Sequence, residues 1–189
     1  MMYNLTMISR LISFLLLIML SPFLLIISLI IYIDDGFPVF FRQKRVGINN
    51  AMFWLYKFRT MKKDTPDIPT HLVKNPEFLY IRFGSLLRKF SIDELPQLIN
   101  IIKGEMVFVG PRPALHNQDD LVKLRTKVGI HKLMPGVTGW SQVNGRDTLS
   151  INEKVKFDEY YLKNRSWSLD LKIVFLTLLK VLGMKGVSH

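Results

Sequence analysis

The sequence predicts an α+β fold, a mostly helical single domain with a small β-hairpin behind an apolar N-terminal segment. Three observations support this prediction. The chain has 189 residues, a length that suits one domain. The stretch from Leu11 to Ile33 carries no charge and, at ~1.5 Å per residue, is long enough to cross a ~30 Å hydrocarbon core. Helix start and stop signals then recur, whereas strand-like alternation is concentrated in one pair of segments.

Ser21-Pro22 lies in the middle of the apolar run, where it disturbs a helix. Pro22 has no N–H to donate to the carbonyl of Ile18, and inside lipid that carbonyl needs another donor, which Ser21 or a water can supply. Two arrangements are open: a kinked helix that spans the membrane once, or a helix–break–helix that enters one leaflet and returns. The basic residues after the run place the rest of the chain in the cytoplasm without fixing the side of Met1.

A β-hairpin is predicted next, in a stretch (36–63) that has seven Lys or Arg and no acidic residue. Strands over 39–43 and 53–59 flank the turn-like Gly47-Ile48-Asn49-Asn50. The period of two divides the second strand into an aromatic face and a second, cationic face: Trp54, Tyr56 and Phe58 against Leu55, Lys57 and Arg59. Such a hairpin suits a site at the bilayer surface; an ordinary hairpin with one packed face is the alternative.

Glycines and a capping box predict where the later helices begin and end. Gly104 and Gly129 end two of them, and Ser150-Ile151-Asn152-Glu153 begins a third. The last helix is apolar but too short to span a membrane, so it lies in the interface or in the core. The predicted order is a loop at 64–76, helices at 82–89 and 93–103, a strand at 106–109, a helix at 116–128, a loop at 135–140, and helices at 150–164 and 169–182.

The composition points to an anionic partner. Twenty-six Lys and Arg against 15 Asp and Glu give a net charge of +11, which favours nucleic acid, anionic lipid or a phosphorylated substrate. The chain has no cysteine, which excludes disulfides, a thiolate nucleophile and Cys-based metal sites. Its four histidines have no metal-binding spacing, so a His-built metal site is not expected.

The adjacent carboxylates Asp93 and Glu94 are the first candidates for chemistry. They are predicted at a helix start, capped either by Ser91 or by Asp93 itself, the second option leaving Pro96 in the first turn. The positive end of a helix stabilises an anion by only ~0.3–1 kcal/mol. Two carboxylates beside a polyanionic substrate need more, and a divalent cation would supply it. The plain alternative is a helix cap on a solvated surface.

Basic side chains are the second group of candidates. Arg112 is the sharpest of them, because it lies between two prolines after a predicted strand and a stiff backbone aims its side chain. Arginine binds phosphate with two hydrogen bonds at once. A surface Arg in a rigid turn is the alternative, and a solvated basic face is the alternative for the others. The remaining candidates are Lys57, Arg59, Arg88 and Arg146.

Nine segments, spread over nearly the whole chain, carry a family resemblance: Ser21-Pro22, 41–47, 57–61, 87–89, 93–100, 103–106, 109–113, 135–146 and 170–173. Taken together, they resemble the catalytic domain of the bacterial sugar transferases, the monotopic phosphoglycosyl transferases, and most closely their short, PglC-like members. The segments occur in the family's order. Glu105 stands where the family usually has Asp.

The resemblance implies an enzyme that moves a phospho-sugar from a UDP-sugar to polyprenyl phosphate and releases UMP. It implies that Asp93 is the nucleophile, through an aspartyl-phosphosugar intermediate, that Glu94 helps to hold Mg²⁺, and that Arg112 lies at the phosphates or the nucleotide. It also implies that residues 1–35 form a re-entrant membrane helix broken at Ser21-Pro22. Residues 36–189 would form the catalytic domain on the cytoplasmic face of the inner membrane.

Membrane lipid is a further implied partner and nucleic acid is not; the sugar and the oligomeric state stay open. Two other functions are weighed against this one. A non-catalytic, membrane-tethered basic module would bind anionic lipid or nucleic acid, with ~1 kcal/mol from each basic residue near an anionic surface. A direct glycosyltransferase would release UDP and form no covalent intermediate. The leaving nucleotide distinguishes the three.

Overall fold

A computed structural model describes residues 2–63, 65, 76–145 and 148–183. The predicted α+β class, mostly helical with a small sheet, is confirmed. Short 3₁₀ turns at Ile48–Asn50, Pro76–Leu79, Ile92–Glu94 and Ile130–Lys132 connect the longer elements. These are α1 (Met2–Asp35), β1 (Phe40–Val46), β2 (Met52–Phe58), α2 (Gly84–Lys89), α3 (Gln97–Lys103), β3 (Val107–Val109), β4 (Ala114–Leu115), α4 (Asp119–Lys127), β5 (Gly136–Thr138), α5 (Trp140–Val143), α6 (Ile151–Asn164) and α7 (Trp167–Gly183).

Helix α1 is the apolar segment, and it continues through Pro22. The expected helix–break–helix is therefore corrected in one respect, because the backbone stays helical at Ser21-Pro22. The reason is local: the Ser21 hydroxyl donates to the carbonyl oxygen of Ile18 at 2.8 Å, which is the acceptor that Pro22 cannot serve. Within the part of the chain that the structure describes, α1 is the helix that is both long enough and apolar enough to cross a membrane.

Both ends of α1 contact the same folded body. Near its start, Arg10 donates from Nη2 to the carbonyl oxygen of Lys103, at the end of α3. At its end, Asp34 accepts a hydrogen bond from the backbone N–H of Arg82, and Asp35 forms an ion pair with Arg59. Between these points two apolar clusters join α1 to the body: Leu16, Leu17 and Leu20 with Leu55, Leu98, Ile101 and Met106, and Leu24, Ile27 and Ile31 with Val39, Phe58, Ile81 and Leu87.

The predicted hairpin is confirmed as β1 and β2, paired antiparallel, with β4 on the other edge of β1. Its two faces differ from the prediction, because the register places Lys44 opposite Trp54 and Arg42 opposite Tyr56. Since residues opposite each other share a face, the aromatic face of β2 also carries the cations of β1. The guanidinium of Arg42 and the ammonium of Lys44 both lie 5.3 Å from the Trp54 ring.

A second, two-stranded sheet pairs β3 with β5 in parallel. The strand predicted at 106–109 is confirmed as β3. Strand β5 was expected to be part of a loop, and β4 was not predicted. Both are two or three residues long and carry no alternation of their own; they are strands because a neighbouring strand binds their backbone. Gly136 allows this approach, since a Cβ there would lie 2.1 Å from the backbone nitrogen of Gly110.

The later helices follow the predicted signals with small shifts. Gly104 and Gly129 adopt the left-handed conformation after α3 and α4, and the Ser150–Glu153 capping box opens α6. Helix α4 begins at Asp119 rather than near 116, because Ala114-Leu115 pairs with β1. In α7 Ile173 is buried, whereas Leu171, Phe175 and Leu182 are exposed, so this helix packs one face and presents an apolar face outward. Most of the predicted loop at 64–76 lies outside the described residues.

Candidate active site

Asp93 and Glu94 lie in the 3₁₀ turn Ile92–Glu94, between α2 and α3. The prediction that Ser91 or Asp93 caps the next helix is wrong: Ser91 is left-handed with no side-chain cap bond, and α3 starts only at Gln97. Pro96 explains the separation, since it has no N–H with which to continue the helical bonding across the turn. Both carboxylates are buried, with exposed fractions of 6% and 7%, so they need compensating partners.

Lys57 and Arg112 provide that compensation at one oxygen of Glu94. The Nζ of Lys57 lies 2.8 Å from Glu94 Oε1 and 3.9 Å from Asp93 Oδ2. The Nη2 of Arg112 lies 3.2 Å from the same Oε1. Burial lowers the pKa of Lys57, an effect that Glu94 and Asp93 oppose and the nearby charge of Arg112 reinforces. Two predicted cations from distant parts of the sequence therefore meet at the predicted acidic pair.

The turn that carries Arg112 is held through its backbone. Prolines 111 and 113 have no N–H, so this turn interacts with its surroundings mainly as an acceptor. Three successive carbonyl oxygens each accept a hydrogen bond from a different element: Pro111 from the N–H of Gly136 (3.0 Å), Arg112 from Nη1 of Arg125 (2.8 Å) and Pro113 from Nη1 of Arg45 (3.2 Å). The rigid turn expected from the sequence is thus fixed by β5, α4 and β1.

Arg125 is a neighbour of the site that was not predicted from the sequence. It lies in α4, is buried, and forms an ion pair with Asp158 of α6, which is buried too. One end of its guanidinium is held by Asp158 while the other holds the backbone of Arg112. In the sequence Arg125 looks like one more basic residue of a solvated helix. Only the packing of α4 on α6 distinguishes it.

Asn100 is a second residue for which no role was predicted. Its side chain is fully buried (0% exposed) and binds the free edge of β2 as another strand would. Oδ1 accepts from the N–H of Tyr56 at 3.1 Å, while Nδ2 donates to the carbonyl of Trp54 and to Glu105, each at 2.7 Å. This links α3, which follows the acidic pair, to the strand that carries Lys57.

The remaining predicted cations lie in other surroundings. Arg59 is buried and donates to the carbonyls of Asp35 and Gly36, so the contacts described for it are with the end of α1. Arg88 donates to the hydroxyls of Thr60 and Tyr80 and stacks on the Tyr80 ring at 5.1 Å. Arg146 lies outside the described residues. Substrate binding by these three side chains stays a prediction.

A cavity of about 260 Å³ opens beside the acidic pair. Glu94 and Arg112 contribute to its wall, and Lys180 of α7 is a second basic residue there. Most of the remaining wall is apolar and comes from α1, α3, β3, β5, α5 and α7. Among the apolar lining residues are Leu16, Leu20, Leu98, Phe108, Val137 and Val181.

Whether this site could hold Mg²⁺ depends on how many ligands the protein must supply. In the described part of the chain there is no cluster of three or more His, Cys, Asp or Glu side chains placed to bind a metal. Mg²⁺ is often held by one or two carboxylates, with substrate phosphates and waters as the other ligands. Asp93 and Glu94 fit that smaller requirement, with Lys57 and Arg112 sharing the charge of Glu94.

Comparison with known proteins shows which family the chain resembles. The family model described as "Bacterial sugar transferase" matches residues 4–184. The uncharacterized sugar transferase EpsL of Bacillus subtilis (strain 168) is 43% identical over 171 residues, which cover 89% of this chain and 82% of EpsL.

Two longer relatives have names that state a reaction. The UDP-glucose:undecaprenyl-phosphate glucose-1-phosphate transferase of Escherichia coli (strain K12) is 40% identical over 88% of this chain and 37% of its own length. The UDP-N-acetylgalactosamine-undecaprenyl-phosphate N-acetylgalactosaminephosphotransferase of Aeromonas hydrophila is 35% identical over 86% of this chain and 40% of its own. The chain thus spans less than half of these two proteins. On the match over nearly its whole length, the chain belongs to the bacterial sugar transferase family.

Proposed function

We propose that this protein transfers a phospho-sugar from a UDP-sugar to polyprenyl phosphate and releases UMP. The observation that carries the proposal is the buried Asp93-Glu94 pair, held by Lys57 and Arg112, at the wall of an apolar cavity formed in part by α1. A site for phosphate chemistry and a surface for an isoprenoid are thus adjacent. Relatives named as glucose-1-phosphate and N-acetylgalactosamine phosphate transferases support the same reaction.

In the proposed mechanism Asp93 is the nucleophile. Its carboxylate oxygen attacks the β-phosphorus of the UDP-sugar, and the bond from that phosphorus to the bridging oxygen breaks, so UMP leaves with the bridging oxygen. An oxygen of polyprenyl phosphate then attacks the same phosphorus and releases the carboxylate. The product is a polyprenyl diphosphate sugar. A carboxylate suits this role because an acyl phosphate is itself a reactive phosphoryl donor.

The neighbouring side chains would position the substrate and neutralise part of its charge. Arg112 lies at the cavity wall beside Glu94, where its guanidinium would bind a substrate phosphate, and its fixed backbone restricts where that guanidinium points. Lys57 contacts both carboxylates and offsets part of their negative charge. Glu94 would hold Mg²⁺. When bound, the ion would neutralise part of the diphosphate charge as UMP departs.

The proposed topology is re-entrant, with α1 entering and leaving the membrane by one face. Its support is the packing of α1: Arg10 near one end and Asp35 at the other contact the same body. A helix that spanned the membrane would place Arg10 on the far side of the hydrocarbon, about 30 Å from a folded body on the near side. The exposed apolar side chains of α1, such as Leu11, Leu15 and Met19, would face lipid. The excess of basic residues after α1 favours the cytoplasmic face of the inner membrane.

The test is a panel of UDP-sugars with undecaprenyl phosphate, scored by the nucleotide released. UMP release that EDTA abolishes supports the proposal. UDP release would instead indicate a direct glycosyltransferase, and lipid binding without nucleotide release would indicate a tethered basic module.

Single substitutions then assign the nucleophile. Asp93→Asn should abolish UMP release and the covalent phospho-sugar adduct seen by intact mass in the absence of acceptor. Glu94→Gln should slow both. Glu159→Gln is the control, because Glu159 pairs with Lys163 at the surface of α6. Turnover close to wild type in Asp93→Asn would exclude Asp93 as the nucleophile.

A further inference from the structure

We propose that the cavity beside Glu94 binds the phosphate and the first isoprene units of the acceptor, and that Lys180 is a phosphate-binding residue of this subsite. The inference rests on the proposed function and adds to it the place of the second substrate. The two lysines of α7 differ in their surroundings: Lys180 lines the cavity, whereas Lys172 is exposed and lies 5.5 Å from the Trp140 ring.

The charges around the cavity favour an anion. Arg112 and Lys180 line it against one lining carboxylate, Glu94. That carboxylate already has two cations, Lys57 and Arg112. Among the described residues no salt bridge is seen for Lys180. An ammonium next to an apolar wall gains from a phosphate partner, since the low local dielectric strengthens their attraction.

The walls suit an isoprenoid rather than a sugar. Leu16, Leu20, Leu98, Phe108 and Val181 offer apolar contact. The hydroxyls of Thr138 and Thr177 pair with each other at 2.7 Å, and that of Thr177 also donates to the carbonyl of Ile173. Their hydrogen-bonding capacity is thus largely used within the wall. The other uncharged polar lining residues are Ser91 and Gln142, and the Gln142 amide nitrogen donates to the carbonyl of Val137 at 2.8 Å. The Gln142 amide oxygen, which has no hydrogen-bond partner among the described residues, is too little to satisfy the several hydroxyls of a sugar. A sugar, with hydroxyls to satisfy, would lose more hydrogen bonds with water than it regained there.

The size and position of the cavity limit how much of the chain it holds. At about 260 Å³ it is smaller than the ~300–1,000 Å³ typical of sites that enclose a drug-sized ligand. It therefore takes the isoprene units next to the phosphate and not the whole tail. Helices α1 and α7 form its sides, and both expose apolar faces outward, for example Met19 and Leu182. The rest of the tail can run from the cavity into lipid along α1.

The experiment compares matched pairs of variants in the full chain. Lys180→Ala is set against Lys172→Ala, and Val181→Phe, which fills the cavity, against Leu182→Phe on the exposed face of the same helix. KM is measured for the UDP-sugar active in the panel, for undecaprenyl phosphate and for the short geranylgeranyl phosphate. Binding of geranylgeranyl phosphate and of uncharged geranylgeraniol is measured separately, without donor.

Lys180→Ala should raise the KM of both acceptors roughly five- to tenfold, as loss of one charge-assisted contact does, and leave the KM of the UDP-sugar unchanged. It should weaken binding of geranylgeranyl phosphate but not of geranylgeraniol. Val181→Phe should weaken both. The two control variants should match wild type.

Three results would overturn the assignment. A rise in KM for the UDP-sugar alone would mean that the cavity binds the UDP-sugar and not the acceptor. A loss confined to undecaprenyl phosphate would mean that α7 acts through the bilayer. If each variant and its control had the same KM values and the same binding, the cavity would not be a binding site for the acceptor. All three are distinct from failure of the proposed function, in which the wild type itself would release no UMP.

Discussion

The hydroxyl of Ser21 donates a hydrogen bond of 2.8 Å to the carbonyl oxygen of Ile18. This carbonyl is the one left without its helical donor by Pro22, so two adjacent residues create and repair the same defect in α1. In lipid an unpaired carbonyl is costly, and helices with proline commonly use a nearby Ser or Thr in this way.

Ser21→Ala should destabilise α1 by about 1–2 kcal/mol in the wild-type background and by much less in a Pro22→Ala background. Alanine in place of Pro22 supplies the N–H that the Ile18 carbonyl lacks, which makes the hydroxyl redundant. Unfolding of the four variants in detergent micelles gives the coupling. Ser28→Ala is the control, because the Ser28 hydroxyl donates to the carbonyl of Leu24, which in a regular helix already has a backbone donor. Equal costs of Ser21→Ala in both backgrounds would contradict the account.

UMP release should fall at alkaline pH as Lys57 loses its proton. Burial lowers the pKa of Lys57 below 10.5, so the protonated form that pairs with Glu94 is lost at a lower pH than in an ordinary lysine. Activity should therefore be high below that pKa and decline above it. Lys57→Arg should move the decline to higher pH, since arginine stays charged.

The control for this pH profile is Lys103→Arg. The pKa of Lys103 is raised, chiefly by its hydrogen bond to Tyr56, and the residue lies outside the acidic pair. Its substitution should leave the profile unchanged. An unchanged alkaline decline in Lys57→Arg would show that another group titrates there.

Asn100→Asp should make stability depend on pH. The carboxylate can still accept from Tyr56 but cannot donate to Trp54, and it faces Glu105. Burial beside another carboxylate raises the pKa of the new Asp, so the variant should be most stable at acid pH and lose stability as the pH rises through that value. Thermal unfolding between pH 5 and pH 8, compared with wild type, measures this. A constant difference across that range would contradict the prediction.

Asn100→Leu should cost about 2–4 kcal/mol at every pH, because it leaves buried groups of β2 and Glu105 without partners. It should also lower kcat for UMP release by loosening Lys57 relative to Glu94. Glu105→Asp is the mild comparison, because it keeps the charge that accepts from Asn100. A wild-type kcat in an Asn100→Leu variant that folds would show that Asn100 does not position Lys57 relative to Glu94.

Gly136→Ala should prevent correct folding or destabilise by several kcal/mol, while Gly183→Ala should be neutral or slightly stabilising. A Cβ at residue 136 would meet the backbone nitrogen of Gly110 at 2.1 Å, and neither strand can move without releasing the carbonyl of Pro111. At Gly183, near the end of α7, nothing lies within 4 Å of an added Cβ. Expression level and thermal unfolding of the two variants test the contrast; similar stability would show that β3 and β5 can separate freely.

Signals of short range in the sequence were reliable guides to the fold. The Ser150–Glu153 capping box starts α6 because its reciprocal bonds need only residues three apart. Gly104 ends α3 because a left-handed residue is needed there, and glycine adopts that conformation at no steric cost. The apolar run and its Ser21-Pro22 pair likewise predicted α1 and the bond to Ile18. Pro96 is the exception: the sequence predicted a helix start at the acidic pair, whereas α3 begins only after Pro96, at Gln97.

The amino-acid sequence alone determined the local features: an apolar helix, a basic hairpin, an acidic pair and an arginine between two prolines. Which of these features are in contact was decided by the packing of the folded chain. It brought Lys57 and Arg112 to Glu94, turned Arg59 toward the end of α1, and recruited Asn100 and Arg125 as supports. The difference is one of range. Caps and turns are set by neighbours along the chain, whereas the partner of a buried charge or a strand edge is chosen by packing between elements far apart in sequence.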